Sequence, residues 1–204
     1  MYNIDGEVML SIKENITNEI IIEKSKFVTE IFYLNSFEDI KTILKDINKK
    51  YYDATHRCYA YIYEEKKKCS DDGEPNGTAG LPILNVLENN YLDHVLCVVI
   101  RYFGGIKLGT GGLIRAYTKS TTEAILKSTI LELIPSYKVL ISFKYDLIKQ
   151  VNNICKEFLI EDKKFDIKIN YILNIPQKKC DDFQKKLQSL AIDYQLLKSS
   201  TIKK

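Results

Sequence analysis

The distribution of glycine constrains the fold of this chain more than any other feature of its sequence. Eight of the nine glycines lie in two short segments, at residues 73–80 and 104–112. Glycine permits positive φ and close approach of main chains, whereas it destabilises the middle of a helix or strand. We therefore expect regular helices and strands in most of the chain, and unusual loop geometry in these two segments.

The hydrophobic pattern predicts alternating strands and helices up to residue 130. Strands are expected where β-branched and aromatic residues cluster, and helices where apolar residues recur every three or four positions. The predicted strands lie in 18–34, with a break at 23–25, and at 56–63 and 94–102; the predicted helices lie at 37–51, 78–90 and 110–128. The continuous apolar run at 94–102 is typical of a central strand buried on both faces. The charged residues at 64–68 are expected to form a solvated turn.

A second domain is expected beyond Pro135, which lies between two β-rich runs. We predict two α+β domains, at 1–130 and 134–204, that meet near 131–136. In the second domain the pattern predicts a strand at 138–145, a helix at 146–158, two strands separated near 162–164, a helix at 177–190 and a strand at 192–197. This order is the βαββαβ of a ferredoxin-like sandwich.

Composition favours a soluble cytoplasmic protein. The five cysteines, at 58, 69, 97, 155 and 180, are odd in number and widely spaced, which is typical of reduced thiols. No stretch reaches the roughly eighteen apolar residues of a membrane span, and no secretory signal is recognised. Residues 1–130 carry a net charge of −2 and residues 131–204 a net charge of +5, which permits contact with nucleic acid without requiring it.

The two glycine-rich segments are the candidate ligand site. In RYFGGIKLGTGGLIRAY (101–117), glycines follow the predicted central strand and lead into a helix, so that main-chain N–H groups can face an anion at the positive end of that helix. Lys119 lies on the same predicted helix face as Arg115. SDDGEPNGTAG (70–80) supplies three acids that can pair with these cations or share their ligand. The residues expected to form the site are Asp71, Asp72, Glu74, Arg101, Gly104, Gly105, Lys107, Gly109, Gly111, Gly112 and Arg115.

Other interpretations of the same residues stay open. The glycines can serve tight turns alone, with Arg101 and Arg115 paired to the acids. The acids can offer oxygens to Mg²⁺, although an EF-hand pattern is missing and no metal site is predicted. Neither a phosphate-binding GK[ST] loop nor GxGxxG is present, so that no cofactor is expected. His56 is the candidate general base and Cys69 a candidate nucleophile, but no activating partner is recognised, and no catalytic residue is assigned.

Three strings in this order resemble the bacterial YigZ family, whose N-terminal domain is shared with the eukaryotic IMPACT translation regulators. They are DATHRCYAYIY, SDDGEPNGTAGLPIL and VVIRYFGGIKLGTGGLIRAY. The resemblance covers residues 24–128, and the segment from Ile134 is similar to the family's second domain, which is similar to the last domain of the translocation elongation factor. It implies an N-terminal domain with the β-α fold of a small-subunit ribosomal protein's second domain.

The resemblance also implies a function. Eukaryotic relatives control translation under starvation by preventing activation of an initiation-factor kinase, a role we do not expect here because their additional N-terminal domain is not recognised in this sequence. The main expectation is a regulatory protein that binds RNA or the ribosome and acts in translation, without a membrane partner. The alternatives are an enzyme acting on a small phosphorylated or carboxylated ligand, and a module that binds another protein.

Overall fold

The computed structural model describes residues 9–203 and confirms the α+β class. The chain divides into two compact units, and the division falls between Glu132 and Leu133. Each unit has its own hydrophobic core. In the described part of the chain, no helix is both long and apolar enough to cross a membrane.

The first unit is built on one antiparallel sheet. Its elements are β1 (Leu10–Ile12), β2 (Ile16–Ile22), β3 (Ser25–Tyr33), α1 (Asp39–Lys50), β4 (His56–Tyr63), β5 (Lys66–Ser70), α2 (Gly80–Asn89), β6 (Val95–Tyr102) and α3 (Gly109–Leu126). The strand order in the sheet is β2-β3-β6-β4-β5. β6 therefore lies at the centre, where both of its long edges are paired.

Helices cover both faces of this sheet. Alternate residues of β6, such as Cys97, pack with α2 and α3 in one apolar cluster, while the residues between them, such as Val98, pack with α1 in another. This arrangement confirms the predicted burial of the central strand on both faces. It also fixes the end of β6, and with it Arg101, at the edge from which the glycine-rich segment departs.

The predicted turn at 64–68 is wrong in part. The chain reverses at Glu64, which has a φ of 55°, and Lys66–Ser70 then forms β5, paired with β4. β5 lies at the edge of the sheet, where lysines are common because their charge discourages pairing with another chain. Periodicity therefore failed here because an edge strand does not need an apolar face.

The second unit has the βαββαβ order that the pattern predicts. Its elements are β7 (Ile130–Phe143), a 3-10 turn (Tyr145–Leu147), α4 (Ile148–Cys155), β8 (Leu159–Phe165), β9 (Ile169–Pro176), α5 (Gln177–Ser189) and β10 (Asp193–Lys203). The antiparallel strand order is β10-β7-β9-β8. Alternate residues of β7 and β9, such as Ile141 and Leu173, pack with α4 and α5 to form the core.

Three boundaries in this part of the chain differ from the prediction. Pro135 lies inside β7 rather than in a linker, beyond the three residues that pair with β1 and before the first residue that pairs with β9. β8 continues through Asp162 and Lys164, and the turn to β9 follows Phe165. The first helix ends at Cys155. Polar residues on an exposed edge strand resemble a loop in sequence, which explains the misplaced turn.

Candidate functional site

The two glycine-rich segments each lead into a helix of the first unit. We call residues 70–80 the acidic loop, which runs from the last residue of β5 to the first residue of α2, and residues 103–112 the glycine loop, which runs from the end of β6 into the first turn of α3. α2 and α3 pack on the same face of the sheet, in the apolar cluster that contains Cys97. The two loops differ in the groups that accept hydrogen bonds at the starts of these helices.

The carboxylate of Asp71 closes the acidic loop on itself. Its Oδ1 accepts the main-chain N–H groups of Ala79 and Gly80, at 3.0 and 2.8 Å, and its Oδ2 accepts that of Gly77, at 2.9 Å. Burial tends to raise the pKa of Asp71, but the N–H groups of Gly77, Gly80 and Ala79 outweigh it and hold the pKa below its ordinary value. Asp71 therefore places an anion from the acidic loop at the start of α2, where it accepts the N–H of Gly80, the first residue of the helix.

Asp72 is held by β4 rather than by the glycine loop. Its Oδ2 accepts the main-chain N–H of Arg57 at 2.7 Å and lies 3.6 Å from the guanidinium of the same residue. Its carbonyl oxygen lies 2.8 Å from Nδ1 of His56. A carbonyl only accepts, so Nδ1 of His56 carries the hydrogen. The three acids thus have separate partners.

Glu74 and Arg101 form a buried ion pair between the two loops. Nη1 of Arg101 donates to Oε1 of Glu74 at 2.6 Å, and the two side chains are 6% and 3% exposed. The hydroxyl of Tyr117 donates to the same carboxylate oxygen at 2.8 Å, and Nη2 of Arg101 lies 3.4 Å from Oγ of Ser25. Nε of Arg101 is buried without a hydrogen-bond partner among the described residues. His56 is more distant, with its Nε2 3.9 Å from Oε2 of Glu74.

The thiols near this pair are not activated. Burial raises the pKa of Cys58 to about 12, and its Sγ lies 2.9 Å from the carbonyl oxygen of Asp71 and 3.3 Å from the hydroxyl of Tyr117. Burial also raises the pKa of Cys69, the nucleophile considered from the sequence. A thiol with a raised pKa holds its proton at neutral pH and is a poor nucleophile.

Gly104 serves close packing in the glycine loop. A Cβ at this position would lie 2.0 Å from the carbonyl carbon and oxygen of Lys24, in the turn between β2 and β3. Its N–H donates to Oγ of Ser25 at 3.2 Å. Glu23 and Lys24 both have positive φ, at 45° and 63°, so the loop contacts a turn whose own conformation is unfavourable for these residues. The N–H of Gly104 is therefore not available to a ligand.

The first turn of α3 has no anion of its own. The residue before it, Leu108, makes no side-chain cap, and the first turn contains no acidic residue. A helix start leaves up to four main-chain N–H groups without partners and carries partial positive charge. Gly109, where the helix begins, has a φ of 68°, a conformation that favours glycine.

Two exposed cations lie in the same stretch of chain as this helix start. The sequence contains no Asp or Glu between His94 and Glu123. Lys107 and Arg115 are exposed and make no ion pair with the described residues, whereas Lys119 lies 3.8 Å from Glu123. Of the four predicted cations, Arg101 is neutralised by Glu74 and Lys119 lies near Glu123. Lys107 and Arg115 have no ion-pair partner among the described residues.

A cavity of about 270 Å³ lies between the two loops. It is lined by Glu74, Pro75, Arg101, Phe103, Lys107, Leu108, Gly109, Thr110 and Leu113. Of the eleven residues predicted for the site, the structure thus brings four to this cavity: Glu74, Arg101, Lys107 and Gly109. The remaining seven do not line it, and they are Asp71, Asp72, Gly104, Gly105, Gly111, Gly112 and Arg115.

The apolar lining was missed in the sequence. The sequence signal of Phe103 is its place between a buried strand and two glycines; its exposure of 46% is given by the structure alone. Leu108 and Leu113 carried none, since apolar residues next to a helix start usually belong to the core. Thr110 was recognised only as the expected start of the helix.

A family model of the Impact N-terminal domain matches residues 23–125 of the chain. The chain is 35% identical over 185 residues to the IMPACT family member YvyE of Bacillus subtilis, and the match covers 88% of this chain and 85% of that protein. It is 41% identical over 80 residues to Protein IMPACT of Homo sapiens, which covers 35% of this chain and 24% of the human protein.

A solved crystal structure has a similar fold over nearly its whole length. It is that of a hypothetical protein, with a TM-score of 0.70 and 26% sequence identity, and the match covers 94% of this chain and 98% of that chain. The family model covers the glycine loop, the acidic loop and all strands of the sheet from β3 onward within the first unit.

Proposed function

The chain belongs to the IMPACT family, and on this premise we propose that it is a translation-associated regulatory protein that binds RNA, free or in the ribosome. The family model and the Bacillus subtilis relative carry the premise. The role in translation is supported by the resemblance to the eukaryotic regulators, with one of which the chain shares 80 aligned residues. A cytoplasmic location follows from this role.

The single observation that carries the binding proposal is the uncapped start of α3. Its N–H groups and partial positive charge stand next to a cavity, with no acid in the first turn. Helix starts of this kind bind phosphate. The unpartnered Nε of the buried Arg101, which also lines the cavity, indicates independently that a polar group of a ligand completes this region.

Charge supports phosphate over a neutral ligand. Lys107 and Arg115 are exposed cations without ion-pair partners among the described residues. A phosphate at the helix start would receive main-chain hydrogen bonds and charge-assisted bonds from these two side chains, each worth roughly 1.5 to 3 kcal/mol. Asp71 supplies the corresponding negative charge at the start of α2, so of the two helices that follow the glycine-rich segments only α3 starts without an acid from its own loop.

Binding is tested by fluorescence anisotropy with a labelled single-stranded RNA at several salt concentrations. Affinity is expected to fall as salt rises, because phosphate contacts release counterions. Arg115→Ala is expected to weaken binding by a factor of about 10 to 150, the equivalent of one charge-assisted hydrogen bond of roughly 1.5 to 3 kcal/mol. Lys45→Ala, which removes the same charge from α1 on the opposite face of the sheet, is the matched control. Equal weakening by both variants would mean that the attraction is a diffuse field, and the proposed site would be wrong.

The role in translation is tested separately by sedimentation of the full chain with bacterial ribosomes through a sucrose cushion. We expect the wild-type protein in the ribosome pellet at low salt and less of the Arg115→Ala variant. A protein that binds RNA in the anisotropy assay but never sediments with ribosomes would retain its binding site and lose its proposed place on the ribosome.

A further inference from the structure

We propose that the cavity takes one nucleobase of a single-stranded RNA, stacked on Phe103, while the adjoining phosphate lies at the start of α3. This inference rests on the proposed function and adds to it which part of the RNA enters the cavity and which side chain recognises it. It is carried by the polarity of the cavity, by its lining and by the surface around its mouth.

The buried end of the cavity favours an uncharged group. Glu74 and Arg101 lie there, both buried, and neutralise each other. A phosphate pushed to this end would meet the carboxylate of Glu74 and lose its hydration without a free cation to replace it. The exposed end carries Lys107 and Gly109, the first residue of α3. The phosphate is therefore placed at the exposed end of the cavity and the uncharged nucleobase at the buried end.

The wall between these ends suits a flat aromatic ring. Pro75, Phe103, Leu108 and Leu113 supply apolar contacts. The Phe103 ring is 46% exposed, and the guanidinium carbon of Arg101 lies 5.6 Å from its centroid, so its position is supported on one side. Any nucleobase, whatever its identity, gains binding energy by stacking on such a ring. A volume of about 270 Å³ is at the small end of ligand pockets, which allows one base and not several.

The surface beyond the cavity extends past a single nucleotide. Ile106 and Ile114 are 39% and 42% exposed and do not line the cavity, yet they lie in the same stretch of chain as Lys107 and Arg115. Exposed apolar side chains interleaved with unpaired cations are typical of surfaces that hold unstacked bases and backbone. We therefore infer an RNA strand rather than a free nucleotide. The same surface would also attract an acidic peptide, but a helix start with free N–H groups beside a flat aromatic wall matches a nucleotide more closely.

The test compares two labelled ligands of equal charge, a hexaadenylate and an abasic RNA hexamer, bound to the full chain. Wild-type protein is expected to prefer hexaadenylate by roughly 5- to 100-fold, the range for one stacked base. Phe103→Leu is expected to remove most of this preference and to leave the abasic hexamer unchanged. Phe165→Leu is the matched control, since it makes the same substitution at a 55% exposed phenylalanine of β8, in the second unit. Arg115→Ala is expected to weaken both ligands equally.

Each contrary result has a distinct meaning. Equal affinity for the two hexamers, still sensitive to Arg115→Ala, would overturn base recognition and leave the proposed phosphate site intact. No binding of either hexamer would overturn the proposed function itself. Adenosine monophosphate binding as tightly as hexaadenylate would show a mononucleotide site. Displacement of the RNA by an equally charged peptide of alternating Glu and Leu, at lower concentration than unlabelled hexaadenylate, would assign the surface to a protein partner. Either of these last results overturns the inference.

Discussion

The acidic loop and the glycine loop are alike in sequence and opposite in what their helices lack. Both contain several glycines and both lead into a helix on the same face of the sheet. At the start of α2, the carboxylate of Asp71 in the acidic loop accepts three main-chain hydrogen bonds, one of them from Gly80, the first residue of the helix. α3 begins with no side-chain cap and no acid, in a stretch free of Asp and Glu. The start of α2 thus has an acid from its own loop, whereas the start of α3 has none.

The difference teaches that glycine density alone does not mark a binding loop. Glycine permits the backbone geometry in both cases, but the presence or absence of an internal anion decides whether the N–H groups remain available. We therefore expect the acids to matter for stability and, if the proposed function holds, the unpaired cations to matter for binding. The following predictions test this division, beginning with the largest effect.

Glu74→Ala is expected to lower the free energy of unfolding by about 3 to 5 kcal/mol, because it leaves the buried guanidinium of Arg101 without its partner. Arg115→Ala, which removes an exposed and unpaired charge, is expected to change it by less than about 0.5 kcal/mol. Urea unfolding followed by circular dichroism measures both. A loss below about 1 kcal/mol for Glu74→Ala would mean that the acidic loop is not the structural partner of the glycine loop.

Asp71→Asn is expected to destabilise the protein by about 2 kcal/mol at neutral pH, since hydrogen bonds to a charged acceptor are lost from three N–H groups. The pKa of Asp71 is lowered in the folded state, so its contribution is fully present above the ordinary value of 3.8 and is lost as pH falls through the lower folded pKa. Unfolding free energies between pH 2 and 6 are therefore expected to differ between the two proteins at the upper end of this range and to converge at the lower end. The control Asp46→Asn, on the exposed face of α1, is expected to follow the wild type at every pH. Parallel curves for Asp71→Asn and wild type would contradict the assigned role.

The glycines at the two helix starts are expected to respond differently to alanine. A Cβ at Gly80 would lie 2.7 Å from the main-chain nitrogen of Ser70, so Gly80→Ala is expected to cost about 1 to 2 kcal/mol. A Cβ at Gly111 would meet only Nη1 of Arg115, at 3.5 Å, so Gly111→Ala is expected to stabilise α3 by about 0.5 kcal/mol. Thermal unfolding of the two variants measures the contrast. Destabilisation of similar size at both positions would show that the two loops are packed alike.

Much of the fold follows from periodicity, because buried elements carry a strong signal. The continuous apolar run predicts β6, and apolar residues at helical spacing predict α1 and α2. β5 and the end of β8 were misplaced because edge strands tolerate charged residues on both faces. The sequence pattern indicates a break at Pro135. In the structure Pro135 lies inside β7, between the residues that pair with β1 and those that pair with β9.

The site was harder to predict than the fold. The meeting of the two loops was expected from complementary charge, and the pair Glu74–Arg101 now accounts for it. The role of Asp71 could not be predicted, because its partners lie six to nine residues away in a segment without periodicity. The contribution of Phe103 depends on its exposure, which a sequence pattern does not give.

The most direct test of this account is a titration of ¹⁵N-labelled protein with inorganic tripolyphosphate, followed through the amide signals of the two helix starts. Tripolyphosphate supplies phosphate groups without a nucleobase, so its binding tests the helix starts independently of stacking on Phe103. We expect saturable shifts at Gly109, Thr110 and Gly111 and unchanged signals at Gly77, Ala79 and Gly80, because Asp71 already occupies the latter group. Shifts of equal size in both groups, or none at the start of α3, would contradict the central claim that, of these two helix starts, α3 is the one without an anion from its own loop.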